Sequence, residues 1–245
     1  ETPATMVFWV CMGTTYKVEN TASYNGTDWS TNCHLEGNTK PYDFYSYMPG
    51  SIPDVTASLT STTDPATITF SNIPAVIGED LIISEATTSG NATTADNPYD
   101  QIITSEEGQS VTFRMQHVLA KLSFSFSNPA GKSFSDMRKI VVREVQVLTP
   151  TSNNKYNVTC SMNKTAPTIY DWEPGDNVTP DYFAIINSTE STIAGTSVEG
   201  YLVEQKATKP FGSCYLVPFT GETIKIRAIY DVYAHDGSLI RKDEI

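Results

Sequence analysis

Apolar and polar residues alternate along much of this chain, and the phase of that alternation changes near the middle, in Gln109–Asn128 (QSVTFRMQHVLAKLSFSFSN). Val111, Phe113 and Met115 are apolar at odd positions, and the ladder runs on through His117 to Leu119. From Val118 onward the even positions take over, with Ala120, Leu122, Phe124 and Phe126 set between Lys121, Ser123, Ser125 and Ser127. Side chains of a strand point alternately to its two faces, so a parity switch means that the buried face has changed sides. Either a β-bulge inserts a residue at His117–Leu119, or the strand leaves one sheet and enters another. Both readings make the segment a seam between two β-units.

The rest of the chain repeats short versions of the same pattern. Met6–Met12 (MVFWVCM) is a near-continuous apolar run, as expected of a strand buried on both faces. Pro41–Pro49 is an aromatic run, Ala66–Phe70 alternates with Ile68 and Phe70 inward, and Leu81–Ile83 gives a further short strand. Thr87–Asp100 and Tyr170–Asp181 read as loops rich in turn residues. Lys139–Leu148 carries Val141, Val145 and Val147 on one face, interrupted by Arg143. Tyr156–Met162, Tyr182–Ile186, Tyr201–Gln205 and Ser213–Phe219 read as strands. In the last ladder Ile224, Ile226, Ala228, Tyr230 and Val232 face inward, with Lys225, Arg227 and Asp231 opposite. His235-Asp236-Gly237-Ser238 is the hairpin turn that follows it. No segment of ten residues carries a helical stripe. Strands every eight to twelve residues predict an all-β protein of two sandwiches in tandem. With the seam as divider, the expected domains are 1–110 and 111–245.

Composition narrows the partners. The 245 residues carry a formal net charge of −12, which argues against nucleic acid and anionic membrane surfaces. Charged residues are only 18% of the chain while Ser, Thr and Asn abound, the balance of a secreted or surface β-protein. No apolar stretch approaches a membrane span. The start at ETPATMVFWV, inside a first strand, is that expected of a trimmed product. Cys11, Cys33, Cys160 and Cys214 fall two on each side of the seam, compatible equally with one disulfide per half and with buried thiols.

No catalytic, cofactor or metal site is predicted. His34, His117 and His235 lie in unrelated contexts, and His117 reads as a hydrogen-bonded residue at the seam. No GxSxG elbow, phosphate loop, HExxH or cysteine/histidine zinc spacing occurs. Asp171, Glu173 and Asp176 read as solvated carboxylates, not a glycosidase pair or calcium loop. Tyr42, Phe44, Tyr45 and Tyr47 read as core in preference to a sugar platform.

Val111–Phe126 (VTFRMQHVLAKLSFSF) resembles the V-x-F-x-H-x-L-A-K-L-x-F segment of the fimbrillin-like proteins of Bacteroidetes, the subunits of type V pili. Its motif positions here are Phe113, His117, Leu119, Ala120, Leu122 and Phe124. Tyr42–Pro49 is similar to that family's aromatic F-x-A-Y-x-P strand, and Ile77–Ala86 to its D-D-L-L-x-A segment. The resemblance implies two tandem transthyretin-like β-sandwich domains and export as a lipid-anchored precursor to the outer membrane. It implies other fimbrial subunits as partners, by exchange of a strand into a groove that N-terminal trimming vacates. Met6, Phe8 and Val10 are then the candidate polymerisation or groove positions. Members continue past the final hairpin, whereas this sequence stops at Ile245, so the final strands are expected to be missing. The alternative is a tip adhesin or carbohydrate-binding surface module on the same scaffold, with host glycans or proteins as partners and Trp29 or Trp172 exposed in loops.

Overall fold

A computed structural model describes residues 5–12, 16–33, 42–62, 65–84, 87–89, 100–101, 111–128, 137–148, 154–163, 166–176, 182–204, 209–218 and 223–245. The protein is all-β, with no helix among these residues. The chain divides into two compact units that interleave in sequence. Unit 1 comprises Glu1–Pro74, Glu79–Leu119 and Lys155–Asp176, and unit 2 comprises Ala75–Gly78, Ala120–Asn154 and Asn177–Ile245. The expected division at 110/111 is a single cut, whereas the chain passes between the units at five points.

Unit 1 contains β1 (Thr5–Met12), β2 (Tyr16–Tyr24), β3 (Trp29–Thr31), β4 (Asp43–Met48), β5 (Thr56–Ser61) and β6 (Ala66–Pro74). It also contains β8 (Ile82–Ser84), β9 (Thr87–Ser89), β10 (Asp100–Gln101), β11 (Met115–His117), β14 (Lys155–Asn163) and β15 (Ala166–Pro174). One sheet has the order β10-β9-β4-β1-β2-β3, with β8 joining β4 to β11; the other is β15-β14-β6-β5. On β14 the alternation is complete, with Tyr156, Val158, Cys160 and Met162 buried and the residues between them half-buried. On β6 the buried set is Ala66, Ile68 and Phe70, then Ile73. The register slips opposite this point, where Asn72 takes φ 64° and its N–H donates to Asn157 Oδ1 at 3.0 Å. An extra residue in one strand moves the next side chain to the other face, which is why Ile73 is inward at odd parity.

Unit 2 contains β7 (Val76–Ile77), β12 (Ala120–Phe124), β13 (Arg138–Leu148), β16 (Tyr182–Ile186), β17 (Glu190–Ile193) and β18 (Thr196–Glu199). The remaining strands are β19 (Tyr201–Leu202), β20 (Gly212–Leu216), β21 (Lys225–Ala234) and β22 (Leu239–Glu244). A sheet of order β16-β13-β21-β22, with β19 also on β13, packs on the β12-β20-β7 sheet. Their shared core is built on Val142, Val145, Val147, Ile185, Phe211, Cys214 and Leu216. The β17–β18 hairpin covers the opposite face of β13, where Ile193 and Val198 meet Val141.

Several loop and face expectations need correction. Residues 170–174 are strand, because β15 pairs with β14 through Tyr170, Trp172 and Pro174; residues 177–181 lie outside the described set. Thr87–Ser89 forms β9 against β4, and residues 90–99 lie outside the described set. Val141 does not share a face with Val145 and Val147. The β13–β21 register shifts between Val142 and Glu144, so Arg143 is the bulged residue and Val142 continues the inward face. Asp231, expected on the solvent side, is 3% exposed, and Ile226, expected inward, is 50% exposed.

Candidate functional site

Among the described residues no group of histidine, cysteine or acidic side chains is arranged to hold a metal. Asp171, Glu173 and Asp176 are exposed and Tyr45 is 1% exposed in the core. His235 lies in the β21–β22 turn, where Gly237 takes φ 87° and Asp236 Oδ1 accepts the Ser238 N–H at 2.9 Å. Hydrogen bonds from Ser238 hold the exposed Asp236 carboxyl below its ordinary range. His34 lies outside the described residues. Cys33, Cys160 and Cys214 are free thiols. Burial pushes Cys160 up to about 12 and Cys214 up to about 11, so both stay protonated and unreactive at neutral pH.

Among the residues singled out in the sequence, those of β1 are enclosed on both faces and paired on both edges. Its seven-residue apolar run, Met6–Met12, forms a strand with no polar side to leave in water, so it needs cover on both faces and partners on both edges. It has both. One edge pairs with β2 from Thr5↔Ser23 to Met12↔Tyr16, and the other with β4 from Val7↔Tyr47 to Cys11↔Asp43. Residues Met6 to Cys11 are all buried, with none above 7% exposed. The even side chains Met6, Phe8 and Val10 pack with Ala22, Tyr42, Phe44 and Met48. Val111, Phe113 and Met115 close over that cluster, and Phe113 sits 6.2 Å from Phe8 and 6.5 Å from Phe44 between ring centres. On the odd side Trp9 stacks 5.5 Å from Tyr47, which meets Phe70 of the facing sheet edge-on at 5.2 Å. Trp9 Nε1 donates to Glu19 Oε2 at 2.9 Å, which satisfies the indole's polar atom at the cluster's rim.

The motif residues divide at the seam. Phe113 belongs to the core of unit 1, whereas Leu122 and Phe124 pack into the core of unit 2. β11 ends at His117 on β8, and β12 begins at Ala120 on β20, so the parity switch coincides with a change of sheet. Val118 and Leu119 between them are buried, and the Val118 N–H donates to Leu81 O at 2.9 Å. His117 departs from the apolar ladder: its side chain is 74% exposed, and Nδ1 pairs with Asp80 Oδ2. Ala120 is exposed as well. Sequence reasoning singled out the segment containing Asp80 and that containing His117 but did not couple them. Nor did it place Phe113 on Phe8, since alternation reports which face is buried and not what covers it.

The fold is similar to that of a fimbrial protein. A crystal structure of a fimbrial protein from Bacteroides vulgatus superposes with a TM-score of 0.56 at 15% identity, covering 97% of this chain and 80% of that one. No family model and no curated protein matches the sequence. At this identity the likeness speaks for the fold. Trp29 and Trp172, expected in loops, lie instead on β3 and β15 and are half-buried. Trp29 leans on Tyr24 at 5.3 Å and against the Phe8 cluster, so its ring is part of the packing.

Proposed function

We propose that this chain is a structural subunit of a cell-surface fimbria that assembles by β-strand complementation and supports adhesion. The reading places it outside the cell after export, on a precursor with a lipid anchor, with other fimbrial subunits as partners. The observation that carries it is the position of β1, paired on both edges and buried on both faces. Taking β1 away would leave two rows of backbone donors and acceptors on β2 and β4, flanked by the pockets of Met6, Phe8 and Val10. Such a slot is filled by another extended segment of alternating apolar residues, which satisfies hydrogen bonds and pockets together. The likeness of fold to a fimbrial protein supports the same reading. No enzymatic role is assigned.

The test is a chain carrying an engineered protease site after Met12. Cleavage followed by incubation is expected to give multimers that resist SDS, and an excess of synthetic TMVFWVCM peptide is expected to suppress them. Cleaved protein that loses β1 yet stays monomeric would overturn the proposal.

A further inference from the structure

The outermost strands of the sheets differ sharply in how they discourage association. An edge strand presents unpaired backbone groups, and proteins guard such edges with charges, proline, bulges or short length. β22 has Arg241, Lys242, Asp243 and Glu244 together with two register shifts against β21. β15 carries Asp171, Glu173 and Pro174, and β12 carries Lys121. β5 exposes only Thr56, Ser58 and Thr60 and is bulged against β6, while β3 has three residues and β7 two. β16 has no charge, proline or bulge of its own, and a charge that lies close to it is the Arg227 guanidinium of β21, 5.3 Å from the Tyr182 ring centre. The sequence of β16 is Tyr-Phe-Ala-Ile-Ile, and Tyr182 and Ile186 are 44% and 71% exposed.

We propose that β16 is a self-association edge, which joins a second copy of this chain by antiparallel β16–β16 pairing. The phase of its ladder points the right groups outward. Asn187 donates its N–H to Arg143 O at 2.9 Å, continuing the register Ile186↔Glu144 to Tyr182↔Leu148. In an antiparallel ladder hydrogen-bonded residues alternate, so Phe183, Ile185 and Asn187 face β13, and Ala184 and Ile186 direct their N–H and C=O away from it.

The edge is also self-complementary. A two-fold axis through Ala184 sets Tyr182 opposite Ile186 of the partner copy, a favoured aromatic–aliphatic pair, with the small Ala184 at the centre. Phe183 then meets the partner's Ile185, so the inward faces of the two sheets also run on. Each copy carries −12, and β16 itself brings no charge to the contact. Two copies that repel overall can therefore meet here without setting like-charged strand residues together, and a second copy offers the same uncharged ladder in the two-fold register. This contact does not involve β1, so its failure would leave the proposed strand slot untouched.

Sedimentation velocity of the full chain across a concentration series tests the pairing. The wild type is expected to show a monomer–dimer equilibrium, and Ile186→Lys and Ala184→Lys each to weaken it at least ~10-fold with an unchanged melting curve. Leu239→Lys on β22 should leave it intact. Hydrogen exchange at the Ala184 and Ile186 amides should slow as the wild type is concentrated. A wild type that stays monomeric, dimers that ignore both β16 lysines, or dimers lost on Leu239→Lys would each overturn the proposal.

Discussion

The central strands of the two units solve one problem in opposite ways. β1 is apolar on both faces and straight in register with both neighbours, so burial and unbroken pairing hold it. β13 is central too, but its register breaks at Arg143, and charges gather at the break. Arg143 Nε lies 3.1 Å from the nearly buried Asp231 carboxylate, off the ideal N–H direction, and its terminal nitrogen pairs with Asp243. Asp231 Oδ1 accepts the N–H of Asp243, a residue of β22 at φ 56°. The same network thus anchors an outer strand whose side chains are almost all exposed. One unit fastens its middle by hydrophobic burial, the other fastens its edge by charge.

That contrast can be broken by substitution, most severely in unit 1. Trp9→Ala removes a ring that is 1% exposed and is expected to cost about 4 kcal/mol in urea unfolding, as large core truncations do. A loss under about 1 kcal/mol would mean that burial does not hold β1. In unit 2 the crowding at the bulge is tested by Gly200→Ala. Gly200 takes φ +125°, and a Cβ there would lie 2.6 Å from Val141 Cγ1 and 3.0 Å from Val142 O. The expected loss is about 3 kcal/mol from strain and overlap.

Asp231→Ala should cost about 2 kcal/mol by stranding Arg143 and the Asp243 N–H, and Asp231→Asn should recover part of it. Full recovery in Asp231→Asn would remove charge from the account.

A milder comparison uses pH. Burial keeps the Cys160 thiol of unit 1 protonated up to about 12, against an ordinary value of 9.0. The folded chain therefore holds a proton that the unfolded chain releases, so this contribution is complete below pH 9 and is lost as pH rises toward 12. At pH 10 the loss is on the order of 1 kcal/mol, and Cys160→Ser should abolish that slope. Smallest of all, Leu239→Ser on β22 should change stability by less than about 0.5 kcal/mol, since the side chain is 51% exposed. A larger effect would show that β22 is held by packing after all.

Local pattern made some of this legible. Met6–Met12 reads as a doubly buried strand because no polar residue interrupts it, and the parity switch at His117–Leu119 marks a seam because period two reverses only at a bulge or a change of sheet. What the pattern lacks is partnership. Nothing in Tyr156–Met162 states that β14 pairs with β6, some ninety residues earlier, and so returns the chain to unit 1. Arg143 interrupts a valine ladder visibly, yet only the register shows that the interruption is a bulge which turns Val141 away from Val145. Asp231 reads as solvent-facing because a carboxylate is rarely buried without a cation; its cation lies on another strand. The candidate strand β1 was legible as a strand. Its lid, Phe113, was recognisable as a motif residue, but their contact spans a hundred positions.

The interleaving of the two units bears on how the chain matures during synthesis. The second sheet of unit 1 needs β14 and β15, which end at Pro174, and by then β7, β12 and β13 of unit 2 have already been made. A nascent chain stopped at residue 110 would hold β6 with one of its two partners absent and the Phe8 cluster without Val111, Phe113 and Met115. Unit 1 is complete only at Asp176, after the first three strands of unit 2 have been made, and unit 2 closes after it. Synthesis therefore holds two half-built sandwiches at once until β15 is made.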